Sequence, residues 1–282
     1  MPTRKSRCFQ VSVIAVLLPA AWGQAPVTSP PPPADAIRAR VVANFAADQR
    51  ALLTFDHTEH IVNRRNGDRD GRTLRVWYVR GHEDSETVAI DGRSLTPAEI
   101  AAEHKRAADR AAELEKRAPA PVGVFEFQGQ TYPFSDLAND YVYGPPQVRD
   151  EHGRATWVYQ ASPNPQAQRH SVAEQLLMHS EGELWVDAED LHVDHIEIHT
   201  TAPVRYGLGI IATIHSATMT LDLERHAPGM WLPRSSSFSL QATVLLLKTL
   251  TRSKQQDFSD YRPRSEPQSA PDARAPAGPR RH

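Results

Sequence analysis

The chain has 282 residues, 40% of them hydrophobic, and its single cysteine, Cys8, excludes an intramolecular disulfide and any thiolate-held zinc or iron–sulfur centre. Three positive charges at the start (Arg4, Lys5, Arg7) and a net +3 over residues 262–282 (five Arg against Glu266 and Asp272), taken from the whole-chain −2, leave −8 for residues 24–261. An acidic body of this kind excludes nucleic acid as a partner, because neutralising phosphates needs a basic surface.

Residues 1–25 read as a secretory signal peptide, with a basic start, the apolar run FQVSVIAVLLPAA and the small-residue exit AWGQA. The run is far short of the ~20 apolar residues that cross a bilayer. Cys8 precedes the run, so it is not a lipid-attachment cysteine. This start predicts a periplasmic or secreted protein. Residues 26–34 are a proline-rich linker, residues 35–262 are long enough for one domain with a sizeable core, and residues 263–282 form a basic, proline-rich tail expected to be disordered.

Asp35 is placed to cap a helix from Ala36, in which Ile37, Val41 and Phe45 fall on one stripe, with Leu52 further along. A strand pair follows, LTFDHTEHIVNRR and TLRVWYVRG, joined by a polar turn at NGDRDG. SETVAI makes a third strand closed by the Asp91-Gly92 turn. In TPAEIAAEHKRAADRAAELEKRAP, Thr96 is a cap, Pro97 the first helical residue and Glu99 the partner of a capping box. The stripe of this helix is thin, mostly alanine with Ile100 and Leu114, so it should lie loosely on the domain or project from it. The second half alternates with the two-residue period of half-buried strands. Trp157 and Tyr159, Leu184 and Val186, Ala217 to Leu223, and Phe238 to Val244 each place apolar residues on one face. The last four strands are expected near 191–206, 217–226, 231–244 and 251–261. The pattern is an antiparallel meander with one dry face, an α+β domain rather than a parallel α/β one.

LHVDHIEIHTT carries the densest set of metal-capable groups: His192, Asp194, His195, Glu197 and His199. With Ile196 and Ile198 facing the core, His195, Glu197 and His199 share the opposite face, where two histidines and a carboxylate could grip zinc. A solvated strand face explains the same residues at no extra cost, and no metal is expected there. Asn66, Asp68, Asp70 and Gly71 match the front of a calcium loop, but its twelfth position, a bidentate glutamate in such loops, is Trp77. A hairpin turn is the simpler account. No G-x-S-x-G elbow, glycine-rich phosphate loop or H-E-x-x-H helix occurs in the sequence, so neither a catalytic residue nor a cofactor is assigned.

Two turns are unusually apolar: GLGIIATIHS, with Leu208, Ile210 and Ile211, and LLLKTL, with Leu245, Leu246, Leu247 and Leu250. In a meander, alternate turns lie at one end of the sheet. They would either fold over the core as a plug or form an apolar rim (Leu208, Ile210, Ile211, Leu246, Leu247) able to meet a lipid, an acyl chain or a membrane surface.

GELWVDAEDLHVDHIEI resembles a hairpin of the outer-membrane lipoprotein-sorting (LolA/LolB/RseB-like) superfamily. More closely, the chain resembles secreted bacterial proteins of unknown role near that superfamily, in the order of its motifs at Gly153 to Val158, Leu184 to Asp187, Tyr206 to Leu208, Met230 to Pro233 and Ser259 to Arg262. The resemblance spans roughly residues 36–262. It implies a strongly curved, unclosed half-barrel with helices covering the concave face, and a non-enzymatic periplasmic carrier of an acyl chain, lipoprotein or other apolar ligand. Trp157, Tyr159, Leu184, Val186, Met219, Leu221, Phe238 and Leu240 would then line the cavity, with the first helix helping to close it. The alternatives are an envelope sensor or scaffold that binds protein partners through a filled sheet, and, more remotely, a histidine-dependent metalloenzyme. The long polar helix near 97–117 and the acidic body depart from the family pattern.

Overall fold

The computed structural model describes residues 30–127, 130–151, 153–167, 176–206, 211–245 and 247–264. The signal peptide, most of the proline-rich linker and the tail from residue 265 lie outside the described residues, as do Leu208, Ile210 and Leu246 of the apolar turns.

Helix α1 (Ala34–Leu52) opens the fold and turns Ile37, Val41 and Phe45 inward. It begins two residues before the expected start. Asp35 therefore sits inside the first turn, where its carboxylate meets Arg38 at 2.5 Å, and Pro33 occupies the cap position without a side-chain bond. Tyr159 donates its hydroxyl proton to the Pro32 carbonyl at 2.8 Å, so ordered packing reaches into the proline-rich segment.

Strands β1 (Phe55–Arg65), β2 (Asp68–Val79), β3 (His82–Ile90) and β4 (Arg93–Ser94) form a meander. Its three turns, Asn66-Gly67, Arg80-Gly81 and Asp91-Gly92, all carry positive φ at both residues. That backbone matches the right-handed twist of the flanking strands, which is why a two-residue Asn-Gly loop makes a tight hairpin. The expected six-residue turn at NGDRDG is thus a two-residue turn. Asp68 and Asp70 stand in β2, extended and opposite Arg65 and Asn63, so they do not wrap a cation as a loop would.

Helix α2 (Pro97–Leu114) has the expected capping box, Thr96 accepting from the Glu99 amide while Glu99 accepts from Thr96. Its docking is not through Ile100, which is 41% exposed, but through Glu103 and Ala107, which are buried. Glu103 accepts from the Thr87 amide at 3.1 Å, and Arg110 donates to the Ser85 carbonyl and, at 3.0 Å, to Asp84. Charged side chains of the helix thereby cover the stretch of β3 that the short β4, paired only at Ala89 and Ile90, leaves open, and blunt that edge of the sheet. Hydropathy alone hides such a contact, because the anchoring groups are charged.

The chain continues through the separate hairpin β5 (Val124–Phe127) and β6 (Gln130–Pro133), α3 (Phe134–Asn139), β7 (Tyr141–Tyr143), β8 (Gln147–Glu151), β9 (Arg154–Pro163), β10 (Ser180–Asp187), β11 (Val193–Thr200), β12 (Val204–Tyr206), β13 (Ala212–Ala227), β14 (Met230–Val244) and β15 (Lys248–Pro263). The expected strand near 191–206 is two strands, since Pro203 offers no amide to a ladder. Among the described residues the main sheet has 13 strands in the order β4-β3-β2-β1-β15-β14-β13-β11-β10-β9-β7, with β12 also on β13 and β8 on β9. Every pairing is antiparallel, and the end strands β4 and β7 do not meet. The sheet is a curved half-barrel left open, with α1 and α3 over its concave face. One point of the floor has no room for any side chain: at Gly182 a Cβ would overlap the Glu197 carbonyl oxygen of β11.

Candidate functional site

The concave floor is built by strand alternation. Trp157 and Tyr159 on β9 stand beside Val186 and Leu184 on β10, Leu184 opposes Ile196 on β11, and Ile196 opposes Leu221 on β13. Ile37, Val41 and Phe45 of α1 and Phe134 and Leu137 of α3 press onto this floor as one core cluster. The Phe45 and Phe134 rings stack at 4.1 Å between centroids.

The eight expected lining residues divide into two groups. Trp157, Tyr159, Val186, Leu184 and Leu221 belong to the core under α1. Met219 and Phe238 instead border a small void with Leu176 and Leu177, and Leu240 packs on a second cluster around Ile214 and Ala242. No single open cavity of ligand size joins them among the described residues. Three voids of about 20, 40 and 20 Å³ lie in a row along the seam between helices and floor. Phe134, Tyr143 and Leu184 border the first two and Ile198 borders the second and third. Drug-sized ligand pockets run to about 300–1,000 Å³, so α1 fills the space a ligand would need.

Arg38 borders the first void, with its guanidinium 5.8 Å from the Tyr143 ring and its Nε buried without a hydrogen-bond partner. Burial pushes the Tyr143 hydroxyl up to about 12 despite the nearby Arg38 charge. The indole nitrogen of Trp157 is likewise buried without a partner. A buried donor left unmatched costs about 1–3 kcal/mol.

The far end of α1 is held by polar groups that sequence reading did not find. Asp48 receives His192 Nδ1 at 2.7 Å and the Trp231 amide at 2.9 Å, all three residues being buried. Asn44 donates to the carbonyls of Asp190 and Leu191. Beneath them Arg154 makes a two-pronged pair with the buried Asp187 at 2.6 and 2.8 Å, and Asp187 also receives the amides of Glu189 and Asp190. Arg154, Asp187 and Trp231 come from the motif segments at 153–158, 184–187 and 230–233, so each of these three short motifs gives a part to one latch under α1.

Two carboxyl groups in the latch titrate in opposite directions. Burial raises Asp187, but the Arg154 bond and the turn amides outweigh it and hold Asp187 below its usual range. Burial, then the neighbouring Asp187, raises Asp190. The pair therefore keeps its charge on Asp187 and takes its proton on Asp190. The stability Asp187 supplies is present above the unfolded carboxyl value near 4 and is lost as pH falls through its depressed folded value. A raised group does the reverse: Asp190 adds stability as pH falls through its folded value. The melting temperature is expected to rise on mild acidification and then collapse below about pH 4. In D190N the rise should vanish while the collapse remains, as followed by circular dichroism.

On the other face of β11, Ile196 is buried and Ile198 packs against the core, so His195, Glu197 and His199 point away from it. His195 is held by Asp222 at 2.6 Å and lies 5.0 Å from the Trp185 ring, which leaves it a strand-face hydrogen bonder. Its Nε2 is 4.0 Å from Glu197, and His199 is 3.8 Å from the same carboxylate. Among the described residues no group of three histidine, cysteine or acidic side chains is placed to hold a metal ion.

In the apolar turns, Ile211, Leu245 and Leu247 stand 59%, 65% and 92% exposed, and the Leu245 amide donates to the Ile211 carbonyl at 3.0 Å. The described parts of the two turns thus touch each other in solvent rather than folding over the core.

No protein-family model matches the chain, and no curated protein matches it. Among solved structures it is similar to a LolA superfamily protein from Nitrosomonas europaea (9% identity, 84% of this chain and 96% of that one, TM-score 0.33). It is also similar to an outer-membrane lipoprotein-sorting protein domain from Vibrio parahaemolyticus (12% identity, 79% and 92%, TM-score 0.32). A third likeness is to the Pseudomonas aeruginosa MucA/MucB complex (10% identity, 80% and 100%, TM-score 0.25). These include the superfamily that the motifs resemble. TM-scores this low carry no argument about what the chain does, which rests on its own site.

Proposed function

We propose that the chain is a non-enzymatic binding protein of the bacterial periplasm. It takes an acyl chain, or the acyl part of a lipoprotein, onto the apolar floor of the half-barrel, where the ligand replaces α1. The observation that supports this reading is the row of apolar voids along the floor, the first of them lying against α1 with Arg38 at its edge. A well-filled sheet does not need a seam lined by Ala34, Ala138 and Ala161. Magnitudes permit the exchange. Undocking Ile37, Val41 and Phe45 exposes three side chains at about 1.5–3 kcal/mol each, whereas an acyl chain gains about 0.8 kcal/mol per buried CH2. A chain of fourteen or more carbons, about 11 kcal/mol, outweighs the three side chains.

In this arrangement Arg38 releases Asp35 and meets the carboxylate or ester oxygens of the ligand, and the Trp157 indole supplies a second donor. The test is binding of a long-chain fatty acid and of its methyl ester by calorimetry, with hydrogen exchange on residues 34–52. The fatty acid should bind and strip protection from α1, and Arg38→Gln should weaken the acid about tenfold, one charge-assisted hydrogen bond, while leaving the ester nearly unchanged. Absence of binding, or binding with α1 still protected, would defeat the proposal. The alternative, a scaffold whose filled sheet binds protein partners, is favoured by the closed packing and predicts the first of these outcomes, no binding with α1 protected throughout.

A further inference from the structure

At one end of the sheet the hairpin tips are basic and apolar side by side. β1 and β2 end at Asn66-Gly67, and the Asn66 amide and side chain bond to Thr251 of β15 at 2.9 and 3.0 Å. Arg65 is the direct cross-strand neighbour of Arg252, and Arg64 of Arg69. Like charges facing one another across strands destabilise a sheet. Arg64, Arg65 and Arg252 are exposed and, among the described residues, have no carboxylate within ion-pair distance. They line an open groove of about 470 Å³ together with Arg69, Asn63 and Leu250, and two carboxylates, Asp68 and Asp70, share it, so four arginines stand against two aspartates. A few residues beyond, β15 runs out to Lys248 and the exposed Leu247, with Leu245 and Ile211 beside it.

We infer that this end of the half-barrel is a docking surface for an anionic lipid bilayer, with Leu245, Leu247 and Ile211 entering the interface and Arg65, Arg252 and Lys248 lying against the acidic headgroups. Charge complementarity selects an anionic partner, because four arginines and the nearby Lys248 outnumber Asp68 and Asp70 at one sheet end of a domain whose body is otherwise acidic. The leucines select a bilayer over a soluble polyanion, since a soluble anion gains nothing from side chains that are two-thirds or more in water. One apolar insertion plus one basic patch is the pair of weak signals that together hold a protein reversibly on a membrane. The geometry supports this directly: at about 3.3 Å per residue, Leu247 stands some 15 Å beyond Arg252 along β15, so the tip enters first and the arginines follow at the surface. The inference does not depend on what the concave face holds.

The test uses the full chain with C8S and L247C, labelled at residue 247 with a polarity-sensitive dye, and a control labelled through V88C on β3. Against vesicles of equimolar phosphatidylcholine and phosphatidylglycerol the dye at 247 should shift to the blue while the control does not, and pure phosphatidylcholine should give little shift. R65Q/R252Q should bind the mixed vesicles about twenty-five-fold more weakly, about fivefold per arginine, and R64Q/R69Q should weaken them similarly. Both variants should melt close to the parent, because each removes a like-charge pair together with one opposite-charge contact, Arg65 opposite Asp68 or Arg69 with Asp91. No shift at 247 with either vesicle would overturn the inference, as would an equal shift with phosphatidylcholine alone. Arginine-dependent binding of soluble polyglutamate without a vesicle shift would assign the groove to an acidic protein instead and would equally overturn it.

Discussion

Asp187→Ala is expected to destabilise the fold by about 3–5 kcal/mol, read as a lower urea midpoint at unchanged slope. The carboxylate is only 1% exposed and accepts four hydrogen bonds, two from Arg154 and one each from the Glu189 and Asp190 amides. Its removal strands the Arg154 guanidinium, whose other acidic neighbours are the exposed Glu189 at 2.8 Å and Asp190 at 3.9 Å. It also frees the amides that shape the turn between β10 and β11. Arg154→Met alone should cost less, because Asp187 keeps its two backbone donors. The double variant Arg154→Met/Asp187→Leu should recover part of the loss but not all, since no apolar side chain replaces those backbone bonds. Complete recovery would mean that the turn holds its shape without Asp187. The same turn presents His192 to Asp48 and the Asp190 and Leu191 carbonyls to Asn44, so Asp187→Ala should also speed hydrogen exchange in α1. A change under about 1 kcal/mol, within the range of ordinary surface substitutions, would remove the latch from the account.

What was legible in the sequence was periodic. The stripe Ile37, Val41, Phe45, the Thr96 to Glu99 capping box and the alternation of β9, β10, β13 and β14 are local patterns, and the structure carries them. The latch was illegible because its members pair across distances of 33 to 183 residues and because a bulge breaks the alternation that would have located them. Trp185 opposes His195 but Val186 opposes Val193, so Asp194 is the extra residue of β11, and the parity read backward from Ile196 fails at Val193. The sequence grouped His192 with His195 and His199, but the last two face away from the core while His192 is buried against Asp48, a partner 144 residues away that no local pattern points to. One signal did point the right way. A polar stripe continuing an apolar one, with Asn44 and Asp48 on the inward side of α1, is out of place on a helix that packs, and such groups are buried only when partnered. The six-residue turn was misread for a different reason: Asn-Gly alone is a strong hairpin signal, and the charges after it drew the loop too long.

Phe45→Ala separates the carrier from the scaffold because only the carrier reading predicts a gain in ligand affinity. The side chain is 4% exposed and stacked on Phe134, so truncation should lower stability by about 3–5 kcal/mol on either reading. If α1 and an acyl chain compete for the same floor, part of that loss is a weaker hold of α1 on the sheet. The fraction of molecules with the floor open rises, and apparent affinity rises with it. A long-chain fatty acid should then bind roughly ten- to a hundredfold more tightly than to the parent, while the melting temperature without ligand falls. Added ligand should also restore more of the lost melting temperature in the variant than it adds to the parent, because a ligand stabilises in proportion to its affinity. A scaffold with a permanently filled sheet would lose stability and gain no affinity. Phe45→Leu serves as the control for size: it fills most of the same volume, so both shifts should shrink together.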